Sequence, residues 1–255
     1  MESDIFRPLA EDPWFSALPQ PLQHKIKAMG VIKQIPAGQN IVHRGQANSG
    51  LYCLLEGVVL AMNELDPGNE GVMAHFAPPA WFGEIGLADG GAYTHTMKTT
   101  SPCTVMFLPR SAILSLLQET PQLWHHIALL LTAKLRISFF VLDEMIKPPA
   151  EQRVARRLLI LAAGLGLRQT YQPHIDIQQE QLAQTLGMGR STLNPILRRW
   201  SDAKWIQLTY GRITILNLDE IKAQAGYENW PEMYKNALTN PHPAGIQAYN
   251  HLTIN

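Results

Sequence analysis

Residues 179–199 read QEQLAQTLGMGRSTLNPILRR, a spacing suited to two short helices joined by a tight turn. Two helices that cross closely need a small residue at the contact, and Ala183 supplies it. Four residues on, Gly187 supplies the left-handed corner that a side chain would obstruct. Leu182, Leu186, Met188, Leu193 and Ile196 then fall at the offsets that lock the two helices together. Agreement at these fixed offsets predicts a helix-turn-helix, although unrelated helical hairpins can imitate it.

In that motif the second helix enters the major groove of DNA, and its N-terminal residues meet base edges. The candidates are Arg190, Ser191, Thr192 and Asn194, with Arg198 and Arg199 further along. An arginine can bridge O6 and N7 of guanine, while Ser191 or Thr192 can meet a base or a phosphate. Each arginine also has a plainer reading, as a phosphate contact or solvated surface. Pro195 stands out because a proline inside a helix deletes one backbone bond and crowds the carbonyl four residues back, here that of Ser191. It predicts a kink or a shortened regular stretch.

The flanking segments agree with this placement. EQRVARRLLILAAGLGL (151–167) predicts an amphipathic helix that buries Val154, Leu158, Leu161 and Leu165. WIQLTYGRITILNL (205–218) reads as two alternating strands around Tyr210-Gly211, a β-hairpin wing. Charge follows the same division. Residues 1–146 carry 9 Lys/Arg against 13 Asp/Glu, whereas residues 147–222 carry 11 against 6. The net charge of zero therefore hides an acidic front and a basic back, as an acidic sensing domain joined to a DNA-facing one would show.

Toward the N-terminus, residues 14–30 read as amphipathic helix. From 31 to 110 come short apolar runs punctuated by turn residues: VIKQIPAG, NIVHRG, GLYCLLEGVVLAMNE, EGVMAHFAPPAWFGEIGL and HTMKTTSPCTVMFLP. Such runs predict a β-roll or jelly roll. A helical period takes over after Arg110, with a long helix expected over about 121–146. Leu123, Ile127, Leu130, Ile137 and Val141 form one apolar row, interrupted by Lys134. A second row holds Trp124, Ala128, Leu131, Leu135 and Leu142. Two adjacent apolar faces need two partners, so the helix is expected to pair with its copy in a two-fold dimer. Pro148-Pro149 stops it and marks a hinge.

The fold expected is therefore α+β: an N-terminal β-roll sensing domain (1–120), a dimerisation helix (121–147) and a winged helix-turn-helix (148–226). The tail 227–255 receives no function. The acidic, proline-containing N-terminus has no features of a secretory signal, and no run is apolar enough to span a membrane, so a cytoplasmic protein is expected. Cys53 and Cys103 read as ordinary core cysteines.

One further segment, WFGEIGL (81–87), runs a turn into a glycine-flanked carboxylate. Its backbone amides suit an anion, and Glu84 suits a pair of hydroxyls. With this segment, the PAGQNIVHRG and LYCLLEGVV strands, the long helix and the winged motif, residues 14–222 resemble the CRP/FNR family of bacterial transcription regulators. The resemblance implies a homodimer on near-palindromic double-stranded DNA, contact with RNA polymerase and a small-molecule effector held by the front domain. In cyclic-AMP-binding members, Gly-Glu is followed some ten residues later by an Arg-Ser/Thr pair that holds the cyclic phosphate. Gly83 and Glu84 match, with Ile85 beside them. The stretch that should carry the arginine reads GGAYTHTMKTT and offers Tyr93, Thr94 and His95.

A lost charge-assisted hydrogen bond to a phosphate is worth about 1.5–3 kcal/mol, so cyclic AMP is not the effector expected. His95 or Lys98 would be the first substitutes for the missing cation. The N-terminal cysteine cluster of iron–sulfur members is absent, so no such cluster is expected. Haem, through His43, His75 or Met73, is disfavoured because single strand histidines are usually structural.

Two rival functions are weighed. A cupin-type metalloenzyme needs paired histidines followed by Glu and a further His, whereas His43, His75 and His95 stand singly. No enzyme is expected, since catalytic signatures such as Gly-x-Ser-x-Gly are also missing. The other rival is a ligand-sensing regulator whose winged helix binds a protein, and salt-dependent duplex binding separates the two.

Overall fold

The computed structural model describes residues 5–66, 69–145, 148–162 and 173–226. The described residues open with three helices, α1 (Arg7–Ala10), α2 (Pro13–Ser16) and α3 (Gln20–Met29). Asp12 caps α2, its carboxylate accepting from the Phe15 amide at 2.6 Å. Eight strands follow, with one short helix among them: β1 (Val31–Ile35), β2 (Asn40–Val42), β3 (Gly50–Glu56), β4 (Val59–Asp66), β5 (Asn69–Phe76), β6 (Ala80–Phe82), α4 (Glu84–Asp89), β7 (Thr96–Thr99) and β8 (Cys103–Pro109).

The strands form two four-stranded sheets in the orders β1-β8-β3-β6 and β2-β7-β4-β5, all pairs antiparallel. This is the expected β-roll, and β3 shows why it holds. Gly50 to Leu55 are all buried because the strand is covered on both faces. Tyr52 and Leu54 enter the core between the sheets, with Val59, Phe82, Met97 and Val105. Leu51, Cys53 and Leu55 enter a second core, with Trp14, Phe15, Trp81, Met106 and Leu108. Both cysteines are buried and free, as expected.

Two helices close the front domain, α5 (Arg110–Glu119) and the long α6 (Leu123–Met145). Pro121 and Gln122 form a turn just ahead of α6, so the helix starts two residues later than the apolar period suggests. Its first apolar row behaves as expected: Leu123, Ile127 and Leu130 are fully buried in the second core. In the other row Leu131 packs against the same core, and the rest stands out of the chain's own cores. Trp124 is 40% exposed, Leu135 52% and Leu142 53%, with Phe139 at 59% beside them. Trp14 anchors α6 to the front domain, its indole N–H donating to the His126 carbonyl at 2.6 Å and its ring meeting Trp81 edge-on at 4.7 Å.

The back domain contains α7 (Ala150–Ala162), β9 (His174–Ile175), α8 (Gln179–Thr185), α9 (Arg190–Asp202), β10 (Ile206–Thr209), β11 (Arg212–Ile215) and α10 (Leu218–Ala225). The wing is a three-stranded sheet, β10-β11-β9, whose first two strands turn at Tyr210-Gly211. From Val154 to Ala162 every residue of α7 is buried, more than an amphipathic helix would show. The extra cover is α10, a helix that the motif reading leaves out. Its signals are local: the Asn217 side chain caps it by accepting from the Glu220 amide at 3.2 Å, and Leu218 and Ile221 follow at helical spacing. The Arg156 guanidinium donates to the Ala225 carbonyl at 2.9 Å, meeting the negative end of α10. Leu165, named as part of the α7 core, lies outside the described residues, as do residues 146–147 of the hinge and the tail 227–255.

The two domains touch. Helix α8 packs on β5, and Ile137 of α6 packs against the core of the back domain. No helix among the described residues is long and apolar enough to cross a membrane.

Candidate nucleic-acid interface and effector cavity

The helix-turn-helix is built as its spacing requires. Leu182, Ala183, Leu186, Leu193 and Ile196 are buried in one core with Leu197 and Trp200, and Met188 packs against it. Gly187 takes φ +57° at the corner, and the Met188 amide donates back to the Ala183 carbonyl at 3.0 Å. Helix α9 runs unbroken from Arg190 to Asp202 through Pro195, so the shortened stretch expected there does not occur. Pro195 and Ser191 are both exposed. The carbonyl that loses its bond therefore lies on the side open to water, where a missing donor costs least.

With its apolar side anchored, α9 leaves Arg190, Ser191, Thr192, Arg198 and Arg199 exposed, five of the six candidates for DNA. Asn194 is half-buried, and its Oδ1 is enclosed with no hydrogen-bond partner. Arg190 lies 3.1 Å from Glu180 of α8, both side chains more than half exposed, and Arg199 pairs with Glu151 of α7. Exposed pairs of this kind are worth about 0–1 kcal/mol, so either arginine can exchange its carboxylate for a phosphate or a base at small cost. At the tip of the wing Tyr210 is 98% exposed, and Arg212 is tied at 2.5 Å to Asp176.

The six candidate effector residues, Gly83, Glu84, Ile85, Tyr93, Thr94 and His95, all line one cavity of about 480 Å³. Strand β6 delivers Gly83 to its mouth at φ +101°, where an added Cβ would sit 2.5 Å from the Gly50 carbonyl. Asn48 donates to the Gly83 carbonyl at 2.8 Å and Arg110 to that of Gly86 at 2.7 Å, so these side chains fasten the loop. Neither lies in the motif, and their positions in the chain give no hint of the contact.

Glu84 is 1% exposed, and its partner comes from α6: Lys134 Nζ lies 2.8 Å from Glu84 Oε2. Periodicity shows Lys134 only as a break in an apolar row; folding makes it the cation of the cavity. The ammonium directs its hydrogen bond to the Trp81 carbonyl at 2.7 Å, and Glu84 Oε2 is left without a well-oriented donor. Tyr93, in the stretch where the resemblance expects the arginine, is a buried structural residue. Its hydroxyl donates to the Gly50 carbonyl at 3.1 Å, accepts from the Ser49 amide at 3.2 Å and lies 2.9 Å from Ser49 Oγ.

The expected substitutes fare differently. Lys98 is not a wall of the cavity, whereas His95 is, with its Nδ1 2.9 Å from Thr94 Oγ1. Burial, and then the positive charges of Arg44 and Lys134, push the His95 pKa below its usual value and favour the neutral ring. Of the residues weighed for haem, Met73 lines the cavity, and His43 and His75 do not.

Comparison with known proteins agrees with this architecture. A family model described as a cyclic nucleotide-binding domain matches residues 32–120, and one described as a Crp-like helix-turn-helix domain matches residues 152–224. The CRP-like cAMP-activated global transcriptional regulator of Mycobacterium tuberculosis is 26% identical, over 74% of this chain and 86% of its own length. The cyclic AMP receptor protein of Thermus thermophilus is 28% identical, over 71% and 81%. Among solved structures, a CRP-family transcriptional regulator from Thermus thermophilus superposes with a TM-score of 0.59 at 25% identity, covering 76% of this chain and 97% of that one.

Proposed function

The chain belongs to the CRP/FNR family of transcriptional regulators, and from that premise we propose that it is a homodimeric, sequence-specific DNA-binding protein whose effector is not cyclic AMP. Residues 1–120 sense, 121–147 dimerise and 148–226 read DNA. The observation that carries this reading is α9, buried along one side and presenting Arg190, Ser191 and Thr192 to solvent at its N-terminal turn. Asn194, Arg198 and Arg199 extend the same contact.

Dimerisation is supported by Trp124, Leu135, Phe139 and Leu142, a row of exposed apolar side chains along a 23-residue helix. Two copies joined along α6 carry two reading heads to a near-palindromic site, and RNA polymerase is the partner through which transcription responds. A cytoplasmic, non-enzymatic role follows from this reading. The effector cavity lies where signalling needs it. Its walls include β5, on which α8 packs, and Ile137 of α6, which packs on the head's core. A ligand between them shifts the balance of head orientations by whatever its affinity differs between them.

Fluorescence anisotropy on a duplex selected from a random pool tests the assignment. Arg190→Ala is expected to weaken specific binding by about 1–3 kcal/mol and to leave the dimer intact by sedimentation. Unchanged specific binding would remove Arg190 from the interface. Duplex binding with no salt dependence would favour a winged helix that binds protein instead.

A further inference from the structure

We propose that the cavity holds a small, uncharged, mainly apolar molecule with a hydroxyl directed at Glu84, and not a nucleotide. This rests on the reading of the cavity as the effector site and names the class of effector. The walls are largely hydrocarbon and aromatic, including Met73, Phe76, Phe82, Met97, Ile137 and Val141. Among the described residues, two formal charges line it besides the titratable His95: Glu84 and Lys134. They lie 2.8 Å apart and neutralise each other, so the described walls carry no net formal charge to attract a phosphate.

A phosphate entering this space would lose its hydration without gaining a free cation. The stretch that should supply one offers Tyr93, Thr94 and His95, and the Tyr93 hydroxyl is already engaged with Ser49 and Gly50. A neutral guest meets no such obstacle. It gains by burying apolar surface, and a hydroxyl on it can donate to Glu84 Oε2, an enclosed acceptor lacking a well-oriented donor. At about 480 Å³ the cavity suits a guest of one or two rings or a short acyl chain.

The test uses N-phenyl-1-naphthylamine, a neutral apolar fluorophore, titrated into the full chain. Saturable enhancement at one probe per chain with micromolar affinity is expected. Ser138→Trp, at an exposed α6 position on the cavity wall, should weaken it at least tenfold. Val31→Ser and Leu216→Ser remove exposed apolar surface that belongs neither to the cavity wall nor to the proposed dimer seam and should leave the affinity unchanged. Loss of signal with either of these but not with Ser138→Trp would place the probe on the outer surface and overturn the proposal. So would the absence of saturable binding. Duplex binding through Arg190, measured on the same protein, separates the two readings. If it persists without cavity binding, only the ligand class fails; cavity binding without any duplex binding would instead reject the regulator.

Discussion

In the reading head, all six candidate DNA contacts lie on α9, so one 13-residue helix carries both their identity and their geometry. In the cavity, the six candidate walls come from the end of β6, from α4 and from the segment before β7. The residue that sets the charge there, Lys134, arrives from α6. The head therefore keeps its chemistry when its local motif is kept. The cavity can keep its shape while its chemistry is changed by two distant substitutions. Here the backbone path of a cyclic-nucleotide-binding domain persists around Gly83, while on the proposed reading of the cavity Tyr93 and Lys134 convert the interior from an anion site into a neutral one.

The largest expected effect falls on that conversion. Lys134→Met leaves the Glu84 carboxylate buried without a counter-charge, a change that costs about 3–5 kcal/mol for a fully buried pair and less here because Lys134 is partly exposed. Urea denaturation of the single variant and of Lys134→Met with Glu84→Gln measures the coupling. Most of the lost stability should return in the double variant. Equal losses in both would mean that the pair contributes nothing, and the contrast with the head would disappear.

A second effect tests the support beneath the cavity. Burial raises the Asp12 carboxyl from 3.8 to about 6, against the lowering effect of the Phe15 amide. A shift of about two units corresponds to roughly 3 kcal/mol. Its sign follows from the raised folded value: the stabilisation is complete below about pH 4 and is lost as pH rises through 6. Asp12→Asn keeps an acceptor for the cap and has no proton to lose, so it should flatten the pH 4–7 part of the stability profile and raise Tm at pH 7.5. An unchanged profile would show that Asp12 titrates normally.

The smallest effect concerns Tyr93. Tyr93→Phe removes a hydroxyl that serves the 49–50 backbone and should cost about 1 kcal/mol, with Arg190-dependent DNA binding unchanged at temperatures well below unfolding. Loss of DNA binding without loss of stability would show that the two regions are coupled through this residue.

How much of this was legible without coordinates follows the same contrast. The head was legible because Ala183, Gly187 and five apolar residues act over distances of a few residues, and the period of a helix converts spacing into contact. The roll was legible from its strand rhythm, and β3's unbroken apolar run agrees with a strand covered on both faces. Glu84 and its neighbours were visible as a group because they flank one turn. Lys134 was not, since nothing local shows which strand end a side chain on a long helix will reach. Asn48 and Arg110 were hidden for the same reason, and α10 was missed because its cap and short apolar row are weak signals beside the motif. Pro195 does not shorten α9, because its cost depends on whether the orphaned carbonyl faces water, which spacing does not record.

The most direct test of the central claim is a calorimetric titration of the folded full chain with cyclic AMP. No saturable heat is expected up to millimolar nucleotide, because Glu84 is held by Lys134 and Tyr93 offers no cation. Saturable binding at micromolar concentration or tighter would contradict this, and would mean that the Glu84–Lys134 pair opens to make a nucleotide site.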